Sequence, residues 1–317
     1  MRPLPRSVVW SERPFPDCNL LVLLGDEPTL VDTGFAAHAE ATAQLTGEHT
    51  PSVRTVVNTH WHSDHVGGNH HFQAAGARVV ASAWDGEAVS RADPGCCVAE
   101  YLDQPVPQYT VDEQVGSGDE LEIGEHTWRV LEVPGHTPGH LALWQADERL
   151  LVVGDTLSTY DVGWVNVMRD GPSGIDDALR SLHLLRELDA RVAIPGHGPL
   201  VEDPAAAIDT AIGRMERQRA DLGLAVSYGA KRVLAYALMI RGGMPVGKLD
   251  DYLHARAWVR DAAQTLEVSV DDFAHDLVDS MVTGGAITVD EGRARAAAPS
   301  TPVDPAVFEL PWPRDWA

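Results

Sequence analysis

The chain has 317 residues, 44% of them apolar, enough to bury a sizeable core and to exclude wholesale disorder. Its 24 basic side chains stand against 47 acidic ones, a net charge of −23, which repels phosphate backbones and anionic membranes and favours a small-molecule substrate. Three cysteines, Cys18, Cys96 and Cys97, with no CxxC spacing, exclude a disulfide framework and a thiolate zinc site.

The first eighteen residues mix basic residues and prolines without an apolar run of signal-peptide length. No later segment approaches the roughly 20 apolar residues that cross a bilayer. A cytoplasmic protein with no membrane partner is expected. Residues 20–24 form an apolar run closed by the turn signal Gly25-Asp26-Glu27, and 29–31 return as a strand. A helix is expected over 36–45, a strand over 53–57, a helix over 66–75 and a strand over 78–81. Residues 84–118, rich in proline and glycine, read as a loop or lid. Strands resume at 120–123, 128–133, 140–144 and 150–153. A helix over 173–188 has Ser173 as its expected N-cap. A last strand at 192–194 runs into Pro195-Gly196-His197.

Beyond residue 203 helical patterns dominate, over 205–222, 230–240 and 269–281, followed by a two-stranded wing at 286–296. Three helices and a wing suggest a winged-helix-like domain over 204–300, after a first domain over 1–203 and before a tail over 301–317. Residues 225–299 hold eight Lys or Arg and ten Asp or Glu, 8 − 10 = −2. No basic face is visible, so nucleic acid is not an expected partner. Packing over the site or forming a homodimer are the alternatives.

The strongest chemical signal is His60-Trp61-His62-Ser63-Asp64-His65, an HxHxDH pattern directly after a strand. In extended chain His60 and His62 point to one side, and Asp64 and His65 follow where the chain turns towards a helix. Four ligand-type side chains within six residues converge with little loop entropy. His136, Asp155 and His197 each follow a predicted strand, which is how a sheet gathers a site along one edge. His49, His183, His254 and His275 have no such setting and read as surface or packing residues. Trp61 and Trp164 are candidate pocket walls, and Tyr160, five residues after Asp155, is a candidate to hydrogen-bond a substrate oxygen, with packing as the alternative for all three.

These residues resemble the metallo-β-lactamase superfamily over about residues 17–200. The resemblance implies an α/β fold, a four-layer αββα sandwich with metals at the edge between its sheets. It implies one metal on His60, His62 and His136, a second on Asp64, His65 and His197, and Asp155 bridging. It also implies that Asp32 orients a ligand histidine. His140, in the same segment as His136, reads either as a support beside the ligands or as a structural residue. Five imidazoles and two carboxylates suit two divalent ions, zinc first, with iron or manganese as alternatives. Such a pair activates water and polarises a carbonyl, with Asp64 or Asp155 handling the proton.

The fold does not fix the substrate. Zinc β-lactamases of the superfamily usually lack an aspartate where Asp155 stands, and di-iron oxygen reductases carry Glu where His62 stands. The charge of −23 counts against the superfamily's RNA nucleases. Hydrolysis of a small thioester, ester or lactone is the expectation, with an RNA nuclease or a β-lactamase as the alternative.

Overall fold

A computed structural model describes residues 4–159 and 162–316. Six short strands lie side by side in chain order as one sheet: β1 (Val8–Ser11), β2 (Leu20–Leu23), β3 (Thr29–Val31), β4 (Thr55–Val57), β5 (Arg78–Ser82) and β6 (Glu113–Val115). The first three pair antiparallel and the rest parallel. A second sheet holds β7 (Glu120–Ile123), β8 (His126–Glu132), β9 (Leu141–Gln145), β10 (Leu150–Gly154) and β11 (Val192–Pro195), again in chain order. Only β10 and β11 pair parallel within it.

Strand alternation sorts the side chains into layers. Leu21, Leu23, Val31, Val57 and Val80 meet Leu121, Ile123, Trp128, Val130, Leu143 and Val152 between the sheets. The alternate residues Leu20, Val22, Leu30, Val56 and Val79 face outward and are covered by Val66, Phe72, Ala88 and Val89. On the far side Leu131, Val133, Ala142, Leu151 and Val153 pack on Ile175, Leu179, Leu182 and Leu185 of helix Ser173–Arg186. The result is the expected αββα sandwich.

The carboxy-terminal third is helical. Helices Pro204–Ala220 and Leu222–Ile240 are capped by Asp203 and Asp221, whose carboxylates accept from Ala206 N and Gly223 N. Helices Val246–His254, Ala257–Thr265 and Val270–Thr283 follow, then the hairpin β13 (Ile287–Asp290) and β14 (Arg293–Ala296), with the two-residue β12 (Met244–Pro245) beside β14. Val226, Ala230, Val233, Trp258 and Leu277 belong to the same continuous core as the outer face of the second sheet. Among the described residues no helix is long and apolar enough to cross a membrane.

Several elements differ from the sequence reading. The segment 84–118 is no lid. It contains helix Ala83–Ser90, capped by the Ser82 hydroxyl, a short helix Ala99–Leu102 and strand β6, and it buries Cys96, Cys97, Val106 and Tyr109. Pro105 and Pro107 are buried in irregular chain, whereas Pro94 and Gly118 lie at the surface. Helix Leu222–Ile240 begins eight residues before the expected 230, because Asp221 caps it and packing outweighs the weak propensity of Gly223, Ser227 and Gly229. Helix Ser173–Arg186 follows Pro172 with no side-chain cap, so Ser173 is not its N-cap. The three helices that precede the wing include Val246–His254 and Ala257–Thr265, which composition alone left unassigned.

The tail crosses back over the sandwich. Thr301 N donates to Phe15 O at 2.6 Å, Val307 is buried against Phe35 and Tyr236, and Trp316 packs edge-on to Tyr109. The His38 ring lies between two acceptors, with Nδ1 2.7 Å from Asp17 Oδ2 and Nε2 2.9 Å from Pro302 O. Both are satisfied only by the imidazolium. The hydrogen bond to Asp17 is the main cause that raises the His38 pKa above its ordinary value. A raised folded-state pKa stabilises fully below the unfolded value and is lost as pH rises through the folded one. The stability difference between wild type and His38→Gln, measured by urea denaturation, should therefore be largest below about pH 6 and shrink steadily in alkaline buffer.

Candidate metal centre

The motif sits where β4 leaves the first sheet. Val57 ends the strand, the chain bends at Thr59, and helix Ser63–Val66 begins after His62, its N-cap. His60, His62, Asp64 and His65 are all buried. The two-residue alternation that sends His60 and His62 inward sends Trp61 the other way. Trp61 is 4% exposed, among Val66 and Phe72 in the layer behind the motif, so it is a packing residue and not a pocket wall.

Two groups of ligand-type atoms converge. The His62 Nδ1 lies 3.2 Å from His60 Nε2 and 3.0 Å from His136 Nε2. Beside them, Asp64 Oδ2 is 3.1 Å from His197 Nε2 and 4.0 Å from His65 Nε2. Asp155 stands between the groups. Its Oδ1 is 3.3 Å from His65 Nε2, and its Oδ2 is 3.6 Å from His197 Nε2 and 3.8 Å from His136 Nε2. His65 Nε2 and Asp155 Oδ1 are buried without a hydrogen-bond partner. Two orphaned ligand atoms facing each other at 3.3 Å are what a shared cation would satisfy. The sets His60-His62-His136, His60-His65-Asp155 and Asp64-His65-His197 could each hold an ion.

Hydrogen bonds on the far side of the rings fix which nitrogen faces in. Asp32 Oδ1 accepts from Thr59 N at 2.8 Å, and Oδ2 accepts from Thr59 Oγ1 at 2.7 Å and His65 Nδ1 at 2.8 Å. The Thr59 hydroxyl, its proton committed to Asp32, accepts in turn from His60 Nδ1 at 3.1 Å. His136 Nδ1 donates to Trp164 O at 2.7 Å. In all three rings the lone pair is left on Nε2, pointing into the site. His140 stacks on His60 with centroids 4.7 Å apart, and its Nε2 accepts from Asp155 N at 3.1 Å.

Protonation follows the surroundings. Burial, then neighbouring imidazoles, holds His60 and His140 well below the ordinary value and pushes His62 down to about 3. These rings are neutral, as metal ligands must be. Burial alone would also depress His65 and His197, but Asp155 and the other carboxylates outweigh it and raise both. Burial would raise Asp155, yet His197 and His65 hold it well below the carboxylate range. The centre thus combines imidazoles and carboxylates, the donor types that divalent ions take.

Backbone shape also matters. A Cβ on Gly196, just after β11, would stand 2.3 Å from Asp155 Oδ1 and 2.7 Å from His65 Cε1, so only glycine lets the last strand end against the centre. Gly229 has the same role on helix Leu222–Ile240, where a Cβ would meet the Trp164 ring at 3.1 Å. That ring lies parallel to His62 at 5.9 Å.

A cavity of about 970 Å³ opens from this centre. His62, Asp64, His136, Asp155, His197 and Trp164 line its floor, and helix Leu222–Ile240 supplies one wall. Leu102 and Gln104 reach it from the 84–118 segment, and Phe15, stacked on His197 at 4.6 Å, reaches it from the amino-terminal side. Tyr160 lies outside the described residues. Sequence reasoning missed Thr59 and Phe15, whereas helix Leu222–Ile240 packs over the site, one of the alternatives for the carboxy-terminal part. Thr59 alone had a signal, its place beside His60.

An αββα sandwich with His and Asp donor groups at the edge of its sheets defines the class of fold. The family model of the Metallo-beta-lactamase superfamily matches residues 14–197, and the chain belongs to that superfamily. An atrochrysone carboxyl ACP thioesterase of Aspergillus fumigatus is 28% identical over 207 residues, 64% of this chain and 57% of that protein. A hydroxyacylglutathione hydrolase of Methylococcus capsulatus is 36% identical over 140 residues, 44% of this chain and 45% of that protein. The chain thus spans about half the length of these curated relatives. Among solved structures, a metallo-beta-lactamase family protein from Thermus thermophilus matches with a TM-score of 0.56 at 24% identity, covering 93% of this chain and all of that one. A beta-lactamase domain protein from Burkholderia ambifaria matches at 0.57 and 20%, covering 93% and 94%. These two likenesses establish the fold.

Because Asp32 holds one ring of each group, its amide variant should loosen both. Asp32→Asn is expected to weaken metal binding about 10–100-fold in chelator competition, with the far-ultraviolet circular dichroism unchanged. Wild-type affinity in that variant would show that the rings orient themselves. Gly229→Val should shift Trp164 and also weaken metal retention, read by the same titration.

Proposed function

We propose that the chain is a binuclear hydrolase of thioesters, with zinc as the metal and iron or manganese as alternatives. His60, His62 and His136 would hold one ion, and Asp64, His65 and His197 the other. The observation that supports this most directly is the Asp155 carboxylate, whose Oδ1 faces His65 and whose Oδ2 lies within 3.8 Å of both His197 and His136, so that it reaches both groups. Two thioester-processing relatives, a thioesterase and a hydroxyacylglutathione hydrolase, favour a thioester over an ester or lactone.

Bound ions would supply Lewis acidity at the carbonyl and a nucleophile drawn from water near neutral pH. The chain's own groups do the rest. Asp32 and Thr59 hold the rings of His65 and His60 in one tautomer. Asp64, 12% exposed at its side chain and facing the cavity, is placed to accept the proton that water loses. Trp164 and Phe15 wall the centre, their rings lying against His62 and His197. No Ser or Cys nucleophile is needed, and burial pushes the nearby Cys18 thiol up to about 12, so it stays protonated.

Asp155→Ala removes the shared ligand. It should lower bound metal from about two ions per chain to about one and cut turnover by about 100-fold or more. Metal analysis, with rates on a thioester, an acyl-homoserine lactone, an aryl ester, a cephalosporin and a short RNA, checks this. Two ions and full activity in the variant would remove the bridging role, and turnover of the lactone, cephalosporin or RNA alone would replace the thioester.

A further inference from the structure

The cavity is larger than the hydrolysis of a small acyl group requires. At about 970 Å³ it stands at the top of the range of roughly 300–1,000 Å³ for small-ligand sites. Much of its wall is hydrocarbon: Leu102, Leu157, Val162, Val233, Met239 and Met281. Unbranched methionines adapt to occupants of differing shape. The wall also carries cations. Helix Leu222–Ile240 turns Tyr228, Lys231, Arg232 and Ala235 towards the cavity at three- and four-residue spacing, so polar and apolar groups share one face.

Lys231 is the informative member. It is half-buried in the wall and forms no hydrogen bond or ion pair with any described residue. That is notable in a chain with 47 acidic side chains against 24 basic ones, where a carboxylate partner is easy to supply. A partly desolvated ammonium left without a counter-ion gains most from an anion delivered by a ligand. The apolar wall and the unpaired ammonium lie in one cavity with the metal centre at its floor.

We propose that the substrate is a thioester with a long apolar acyl chain and an anionic carrier, the chain lying along the hydrocarbon wall and a phosphate or carboxylate of the carrier meeting Lys231. This rests on the thioester hydrolase reading above. In the reaction the oxygen of water bonds to the acyl carbon, the C–S bond breaks, and the carrier leaves as a thiol after taking up a proton, with a fatty or similarly apolar acid as the other product. Lys231 acts here as a specificity residue, away from the reacting carbon.

The test compares kcat/KM of the metal-loaded protein for octanoyl-CoA, acetyl-CoA, S-octanoylglutathione and the uncharged octanoyl-N-acetylcysteamine. Octanoyl-CoA is expected to exceed acetyl-CoA by about tenfold or more. One of the two anionic octanoyl thioesters should exceed the uncharged one, and which does so tells phosphate from carboxylate. Lys231→Gln should then lower the ratio of the preferred anionic octanoyl thioester to the uncharged one by about tenfold, mainly through KM. The chain-length comparison needs no variant. Equal rates on all four thioesters, or an unchanged ratio in Lys231→Gln, would overturn this proposal while leaving the thioesterase reading in place. No thioester turned over, with a lactone or cephalosporin hydrolysed, would instead remove the reading on which it rests.

Discussion

One carboxylate organises both halves of the centre. Asp32 sits at the end of β3 with a φ of +58°, a conformation that costs a non-glycine residue free energy. That backbone turns its two oxygens onto Thr59 N, Thr59 Oγ1 and His65 Nδ1. Because β3 and β4 pair in parallel, Val31 beside Val57, the residue after each strand meets the other at the same edge. The tautomers of His65 and, through Thr59, His60 follow from that register. A one-residue slip of β4 would turn His60 and His62 away from the sheet edge.

The carboxy-terminal helix takes part in the same construction. Tyr228 donates to Val162 O at 2.8 Å, and Gly229 lets the Trp164 ring lie against the helix. Trp164 in turn offers its carbonyl to His136 and its ring to His62. The segment 162–164 is therefore held from two sides, by the helix and by the ligand histidines. The tail adds a further layer, with Phe15 stacked on His197 on one flank and bonded to Thr301 through its carbonyl on the other.

The sandwich and the ligand-type residues were legible because both signals are local. Alternation over four or five residues marks a strand, and HxHxDH within six residues marks a cluster. Trp61 could have been separated from its neighbours by the same alternation that selects His60 and His62. What was not legible depended on distant contacts. Nothing near residues 96–109 announces that this glycine- and proline-rich stretch is buried under Trp316. Leu222–Ile240 looks like a weak helix until Trp164 and the second sheet are placed against it. Lys231 carries no local mark, since its meaning comes from its place in the cavity wall without an ion pair to any described residue.

The shared core beneath helix Leu222–Ile240 has a consequence for cooperativity. Val226, Val233 and Trp258 and the outward residues of β9 and β10 form one apolar cluster, so neither part can lose its packing without exposing the other. The carboxy-terminal helices and the sandwich therefore share the packing that stabilises each of them. A cavity-forming substitution at Trp258, far along the chain from any ligand histidine, destabilises the same native state that holds the centre together. Sequence drift in the carboxy-terminal third is therefore constrained twice, once by what the cavity must hold and once by the stability of the sheet whose edge bears the chemistry.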